Sequence, residues 1–311
     1  MDDRAGTRDE VEFRNNFKGG TQLDALGYVE EARAAYGKTS IQRKLYIEAV
    51  TVCVDYSDFL AHSILFNKQA FDRWVIVTAP HDEATRRLCE YHDLEFVVTH
   101  EFHINGGTPL SALSGKGKIY VPPFSKGRGI NQGLKQLNKT GWVVHLDADT
   151  VLPPRARDMF EIAQLDPTFL YGVDRLMCKS FEDWYRHLVF PELQHEPNFW
   201  IRGNSFPLNV RIGPHRDNGW LPPGFFQMWN PLGSNKSEYP NDHSTNAGRS
   251  DVNFAFSFPR EKRALIPEIF AIHLESEEVH MGANWTGRRT RFFGPQGMER
   301  HIVQHPRKEW L

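Results

Sequence analysis

The chain has 311 residues, 40% of them hydrophobic and 24% charged, with a formal net charge of -2. That length sets one large domain or two small ones and is ample for a buried core. With no excess of lysine and arginine, a general binder of nucleic acid or anionic membrane is excluded, which leaves only local basic patches open.

Residues 1–46 are polar and read as an N-terminal extension with one helix over 22–36. The opening MDDRAGTRDEVEF has no basic segment leading into an apolar one, so no secretory leader is expected. No run approaches the roughly 18 apolar residues of a membrane span. Stable membrane insertion is therefore not expected, and the cytoplasm is the expected address. From 47 to 311 a single domain is predicted, with a first half over 47–150 and a second half over 151–311.

Ile47 begins IEAVTVCVDY, a short β-branched run of the kind that forms a strand buried on both faces. Ser57-Asp58 then offers an N-cap to a helix over FLAHSILFNKQAF. A second strand is predicted at 73–79, a helix at 81–92, a third strand at 94–100 and a Gly/Ser/Pro-rich active-site loop at 103–123. A helix at 127–139 leads into a fourth buried strand at 141–147. Strands alternating with helices imply βαβ units and a mainly parallel, Rossmann-type sheet with helices on both faces.

The second half is less regular. A strand is predicted at 168–178, a short helix at 181–190, a helix or extended segment at 250–258 and a strand within 263–275. Residues 221–251, aromatic at first and then Gly/Asn/Ser-rich, read as a loop. Such an irregular second half would roof the crevice at the carboxyl ends of the strands, where open parallel sheets bind ligands.

Cys53, Cys89 and Cys178 lack metal-ligand spacing, and Cys53 reads as a buried thiol. Asn138, Asn235 and Asn284 match the glycosylation pattern but carry no weight without a leader.

HLDADTVLPP (145–154) carries the most chemistry. A buried strand delivers Asp147 and Asp149 to the sheet edge, and Pro153-Pro154 stops the chain. Two carboxylates one residue apart can address one hard cation, such as Mg²⁺ or Mn²⁺ carrying a diphosphate. A solvated turn with one Asp capping the next helix is the structural alternative.

The DADTV string also fits the haloacid-dehalogenase-type phosphatases, in which the first Asp is a nucleophile and the second a general acid. That family's late acidic cluster is not evident here, and three strands precede the motif where it normally opens the sheet.

A wider resemblance is to nucleotide-sugar glycosyltransferases of the GT-A fold, of the family 2 and β-1,4-galactosyltransferase-like kind. PFSKGRGINQGLKQL (123–137) followed by WVVHLDADTVLPP is similar to the family's Arg/Lys…Asn-x-Gly helix and Asp-x-Asp strand, at Phe124, Lys126, Arg128, Asn131 and Gly133. VCVDYSDFLAHSI (52–64) resembles its opening strand and helix, and VIVTAPHDEATRRL (75–88) its second strand with an Asp-x-x-Thr. GRSDVNFAFSF (248–258) resembles the segment that supplies the base, and AIHLE (271–275) the strand that brings a His to the metal. The likeness spans about residues 47 to 290, and it implies a catalytic domain over 47–311 with a nucleotide-sugar-binding half at 47–150 and an irregular acceptor-side and metal half at 151–311. Thr78-Ala79-Pro80 stands where family 2 enzymes usually have a pair of acids.

The resemblance implies a metal-dependent transfer of sugar from a nucleoside diphosphate, with a UDP-sugar favoured, to an acceptor hydroxyl. Asp147, Asp149 and His273 would hold Mn²⁺ or Mg²⁺, with His280 the substitute for His273, and the imidazole favours Mn²⁺. Asp251 would be the general base, which implies inversion; it could equally open a helix as an N-cap. Asp55, Tyr56, Lys126, Arg128, Asn131, Asp147 and Ala148 would meet the donor.

Phe225, Phe226 and Trp229 would offer aromatic faces to the acceptor, with core packing as their alternative. Trp285, Arg288, Arg289 and Arg291 could contact a diphosphate or an anionic acceptor, nucleic acid included, or form a solvated surface. A sugar- or nucleotide-binding protein without catalysis is the reading from a different class.

Overall fold

The computed structural model describes residues 45–102, 125–178, 184, 221–222, 224–240 and 250–274. Among them β1 (Ile47–Val52), α1 (Ser57–Asn67), β2 (Arg73–Thr78), α2 (Glu83–Tyr91) and β3 (Glu95–Val98) follow in order. Then come α3 (Lys126–Leu134), β4 (Trp142–Leu146), β5 (Thr150–Val151), α4 (Ala156–Ile162) and β6 (Leu170–Cys178). Next are β7 (Phe226–Trp229), α5 (Pro231–Ser234), α6 (Ser250–Phe256) and β8 (Arg263–Leu274). The predicted helices at 22–36 and 181–190, apart from Trp184, and the whole of the 103–123 loop lie outside the described residues.

The strands join one α/β sheet in the order β3-β2-β1-β4-β7-β6-β8-β5. Its first half is parallel as expected: β3 on β2, β2 on β1 and β1 on β4. Beyond β4 it is mixed, because β7 runs antiparallel to both β4 and β6, and β5 antiparallel to β8.

Alternation along β1 builds the two sides of the core. Ile47 and Ala49 face one cluster with Leu60 and Ile64 of α1 and Phe160 of α4. Val50 and Val52 face another with Ile130 and Leu134 of α3 and Phe254 of α6. Both faces are therefore covered by helices, which is why β1, β4 and β7 are buried along their whole length.

β7 corrects the expectation of a loop over 221–251. Four consecutive buried residues in mid-sheet show no period-2 pattern, and with Pro, Gly and Asn on either side so short a run reads as part of a loop. The N-cap of α1 is corrected too. Asp55 takes a left-handed conformation (φ 59°), which turns the chain so that Tyr56 is the N-cap, with Asp58 inside the first turn.

The Asp82-x-x-Thr85 pattern proves to be a helix cap. Asp82 accepts the Thr85 N–H at 3.0 Å and its hydroxyl at 2.7 Å. All three cysteines are buried thiols, none of them in a disulfide among the described residues. Burial, then the nearby Asp82, pushes the Cys89 thiol up to about 12. No helix among the described residues is long and apolar enough to cross a membrane.

α3 lies very close to the sheet, and its glycines are the reason. A Cβ on Gly133 would stand 2.3 Å from Val50 Cγ2 and 2.6 Å from Val77 Cγ2. One on Gly129 would stand 2.1 Å from Phe102. In an exposed helix, Gly→Ala gains about 1 kcal/mol. Here overpacking wins, and Gly133→Ala is expected to destabilise the fold by about 1–3 kcal/mol in urea unfolding.

Candidate active site

The site is built where β4 ends. Asp147 N–H donates to the Phe225 carbonyl at 3.0 Å, and Thr150 N–H to the Asp147 carbonyl at 3.1 Å, which closes a tight turn through Ala148 and Asp149. α1 holds this turn from below with two fully buried polar side chains. Ser63 Oγ donates to the Ala148 carbonyl at 2.8 Å, and Asn67 Nδ2 to the Thr150 carbonyl at 2.7 Å. Asn67 Oδ1 accepts the Leu152 N–H at 2.8 Å. Sequence reasoning missed both residues, although polar side chains four apart on a helix's buried face were the available signal.

β5 then carries the turn to β8. Thr150 pairs with His273, and the Leu274 N–H donates to the Asp149 carbonyl at 2.7 Å. That register sets His273 Nε2 3.6 Å from Asp149 Oδ1. One ligand atom each from Asp147, Asp149 and His273 lies within 4.8 Å of the others. Two ligands of one small ion are separated by at most about twice a metal–ligand distance of ~2.1 Å, so the span is close to that of a shared ion. Two carboxylates and an imidazole also suit Mn²⁺ chemically.

Lys126, the first residue of α3, forms an ion pair with Asp147 Oδ1. Burial opposes its charge, yet Asp147, with Asp251 and Asp149 farther off, holds its pKa above the usual lysine value. Asp251 lies in the first turn of α6, and its Oδ2 accepts the Gly224 N–H at 2.8 Å. Burial raises the pKa of Asp251; Lys126 and the backbone N–H groups of Val252 and Gly224 oppose the rise. Its Oδ1 is buried without a well-aligned hydrogen bond.

His145, inside β4, had no role in the sequence reading. It is fully buried, with Nε2 3.5 Å from Asp147 Oδ1 and its ring edge-on to Tyr239 at 5.6 Å. Burial, then the charge of Lys126, holds its pKa well below the ordinary histidine value, so the ring is neutral.

Other predicted residues are placed differently. Phe225 is buried with its ring edge-on to His273 at 6.2 Å, and the Arg175 guanidinium lies over it at 4.8 Å. Phe226 and Trp229 have no exposed surface. Phe226 stacks on Phe160, and Trp229 Nε1 donates to the Lys236 carbonyl. These two are core residues, because β7 has a helix-covered layer on each side.

Asn131 spends its amide on the backbone N–H and carbonyl of Tyr239. Arg128 pairs with Glu101 at 2.5 Å. Asp55 meets His81 at 3.3 Å beyond β1, and Tyr56 stacks on Phe59. His280, Phe124, Trp285, Arg288, Arg289 and Arg291 lie outside the described residues.

No family model matches this chain, and no curated protein matches it. Among solved structures it is similar to a mannosyl-3-phosphoglycerate synthase from Rubrobacter xylanophilus. The identity is 14% over 81% of this chain and 70% of that one, with a TM-score of 0.39. It is also similar to a glucosyl-3-phosphoglycerate synthase from Mycobacterium tuberculosis in complex with phosphoglyceric acid. There the identity is 10% over 85% and 77%, with a TM-score of 0.39. The same enzyme in complex with Mn²⁺, uridine diphosphate and phosphoglyceric acid is 11% identical over 85% and 75%, with a TM-score of 0.36.

Proposed function

We propose that the protein is a metal-dependent glycosyltransferase of the GT-A type, taking a sugar from a nucleoside diphosphate, with a UDP-sugar favoured, to an acceptor hydroxyl. The observation that carries this is the convergence of Asp147, Asp149 and His273 within 4.8 Å, beside Lys126 at the carboxyl end of β4. That is where an open α/β sheet binds ligands. These three side chains would hold Mn²⁺, which as a Lewis acid favours departure of the diphosphate.

Lys126 adds a fixed ammonium for the charge that grows on the leaving phosphate. In the transfer, the bond from the anomeric carbon to the diphosphate oxygen breaks and its electron pair leaves with the diphosphate. The acceptor oxygen bonds to that carbon, and Asp251 takes the acceptor proton. The raised pKa of Asp251 fits it to that role, because a more basic carboxylate takes a proton more readily.

The test is a thermal-shift screen with UDP-, GDP- and CDP-sugars, each with and without Mn²⁺. A ligand that binds the native state alone raises Tm. One sugar nucleotide is expected to do so in a Mn²⁺-dependent way and to yield free nucleoside diphosphate once an acceptor is supplied. Binding without turnover across an acceptor panel would leave a binding protein, and hydrolysis of p-nitrophenyl phosphate without sugar transfer would leave a phosphatase.

A further inference from the structure

Gln227 lies on β7 opposite His145 of β4 and is fully buried. A buried primary amide is tolerated when its donors and its acceptor are all matched. Here Nε2 donates to the Pro222 carbonyl at 2.9 Å and to the Asp251 carbonyl at 3.0 Å, and Oε1 accepts the Tyr239 hydroxyl. The two carbonyls belong to the two segments that grip the Asp251 carboxylate.

Pro222 precedes by two residues Gly224, whose N–H binds Asp251 Oδ2, and Asp251 itself stands in the first turn of α6. One NH₂ group thus ties Pro222, two residues before Gly224, to the start of α6, and Gly224 and α6 hold the carboxylate between them. The fit is tight, since a Cβ on Gly224 would come 2.2 Å from Asp251 Oδ2.

Tyr239 sets which way the amide faces. Its hydroxyl donates to Oε1, which keeps Nε2 turned to the carbonyls. Tyr239 is fixed in turn by the Asn131 clamp on its backbone, at 2.8 and 3.0 Å, and by stacking on Phe254 of α6 at 4.1 Å. If packing alone mattered, an apolar side chain of similar volume would serve at position 227. The position carries an amide whose polar groups all fix the surroundings of Asp251.

We propose that Gln227 is a positioning residue for the Asp251 carboxylate. This rests on the reading of Asp251 as the group that acts on the acceptor. Gln227→Met is expected to lower kcat roughly tenfold to a hundredfold, as small misplacements of a reacting group do. The Mn²⁺-dependent affinity for the UDP-sugar should stay unchanged, because Gln227 makes no hydrogen bond to Asp147, Asp149 or His273.

In an Asp251→Asn background the same substitution should cost nothing further, whereas a residue that merely supports packing would lower activity equally in both backgrounds. Should Gln227→Met fail to fold, Tyr239→Phe removes the hydroxyl that orients the amide while keeping the ring stack, and should lower kcat in the same direction. Full kcat in the folded variants, or an equal loss in both backgrounds, overturns the positioning role alone. A wild-type protein that transfers no sugar overturns instead the functional reading on which it rests.

Discussion

Asp251→Asn is expected to cut turnover by about 10²- to 10⁴-fold, the range a positioned acid or base contributes, without lowering Tm at neutral pH. The two halves have one cause. Burial raises the pKa of Asp251, so the fold disfavours its ionised form. A raised folded pKa gives a stability contribution that is complete below the ordinary value near 3.8 and is lost as pH rises through the folded value.

Asparagine carries no charge to bury, and its side-chain carbonyl can still accept the Gly224 N–H. The Tm of the variant at pH 7 should therefore equal or exceed that of the wild type, and the difference should shrink on acidification. A lower Tm at pH 7 would make Asp251 a structural anchor. NMR of the product's anomeric configuration then fixes the chemical role. Inversion goes with Asp251 taking the acceptor proton, and retention would reassign it to stabilising positive charge at the anomeric carbon.

How much of this site could be read beforehand depended on how local its signals are. Asp147 and Asp149 were legible because an apolar β-branched run, an acidic pair and Pro153-Pro154 follow one another directly. His273 is reached from the sequence only through a resemblance of segment order. What brings it to Asp149 is the β5–β8 pairing, and β5 is only two residues long, too short for any periodic signal.

β7 was unreadable for a related reason: a central strand is buried on both faces and so loses the alternation that marks a strand. Gln227 is hidden with β7, whereas Ser63 and Asn67 stand on α1, a helix the sequence does predict. Their importance lies in which carbonyls they meet across the chain, and a sequence does not display those partners. The glycines of α3 are an intermediate case. Gly133 stands out in sequence as part of a motif, but its physical reason is the Val50 and Val77 methyl groups it admits.

Asp149→Ala should lower Mn²⁺ affinity by at least about 10²-fold, more than the ~10- to 100-fold typical of losing a group behind a ligand. It should do so while leaving the fold intact. The β5–β8 connection beside it runs through the Asp149 carbonyl, which accepts the Leu274 N–H, and this backbone bond survives removal of the side chain. Calorimetric titration with Mn²⁺ alone checks the affinity, and an unchanged Tm in the absence of metal checks the fold.

His273→Ala separates the two ligand types. Removing the imidazole leaves a harder oxygen site, so the loss should be larger for Mn²⁺ than for Mg²⁺ and the preference between the ions should narrow. Asp147→Ala has a further consequence, because it also strips Lys126 of its ion-pair partner. That variant should lose stability as well as metal, since a buried ammonium without its carboxylate is costly. Mn²⁺ binding that survives both Asp149→Ala and His273→Ala would place the ion elsewhere and remove the observation on which the proposed transfer depends.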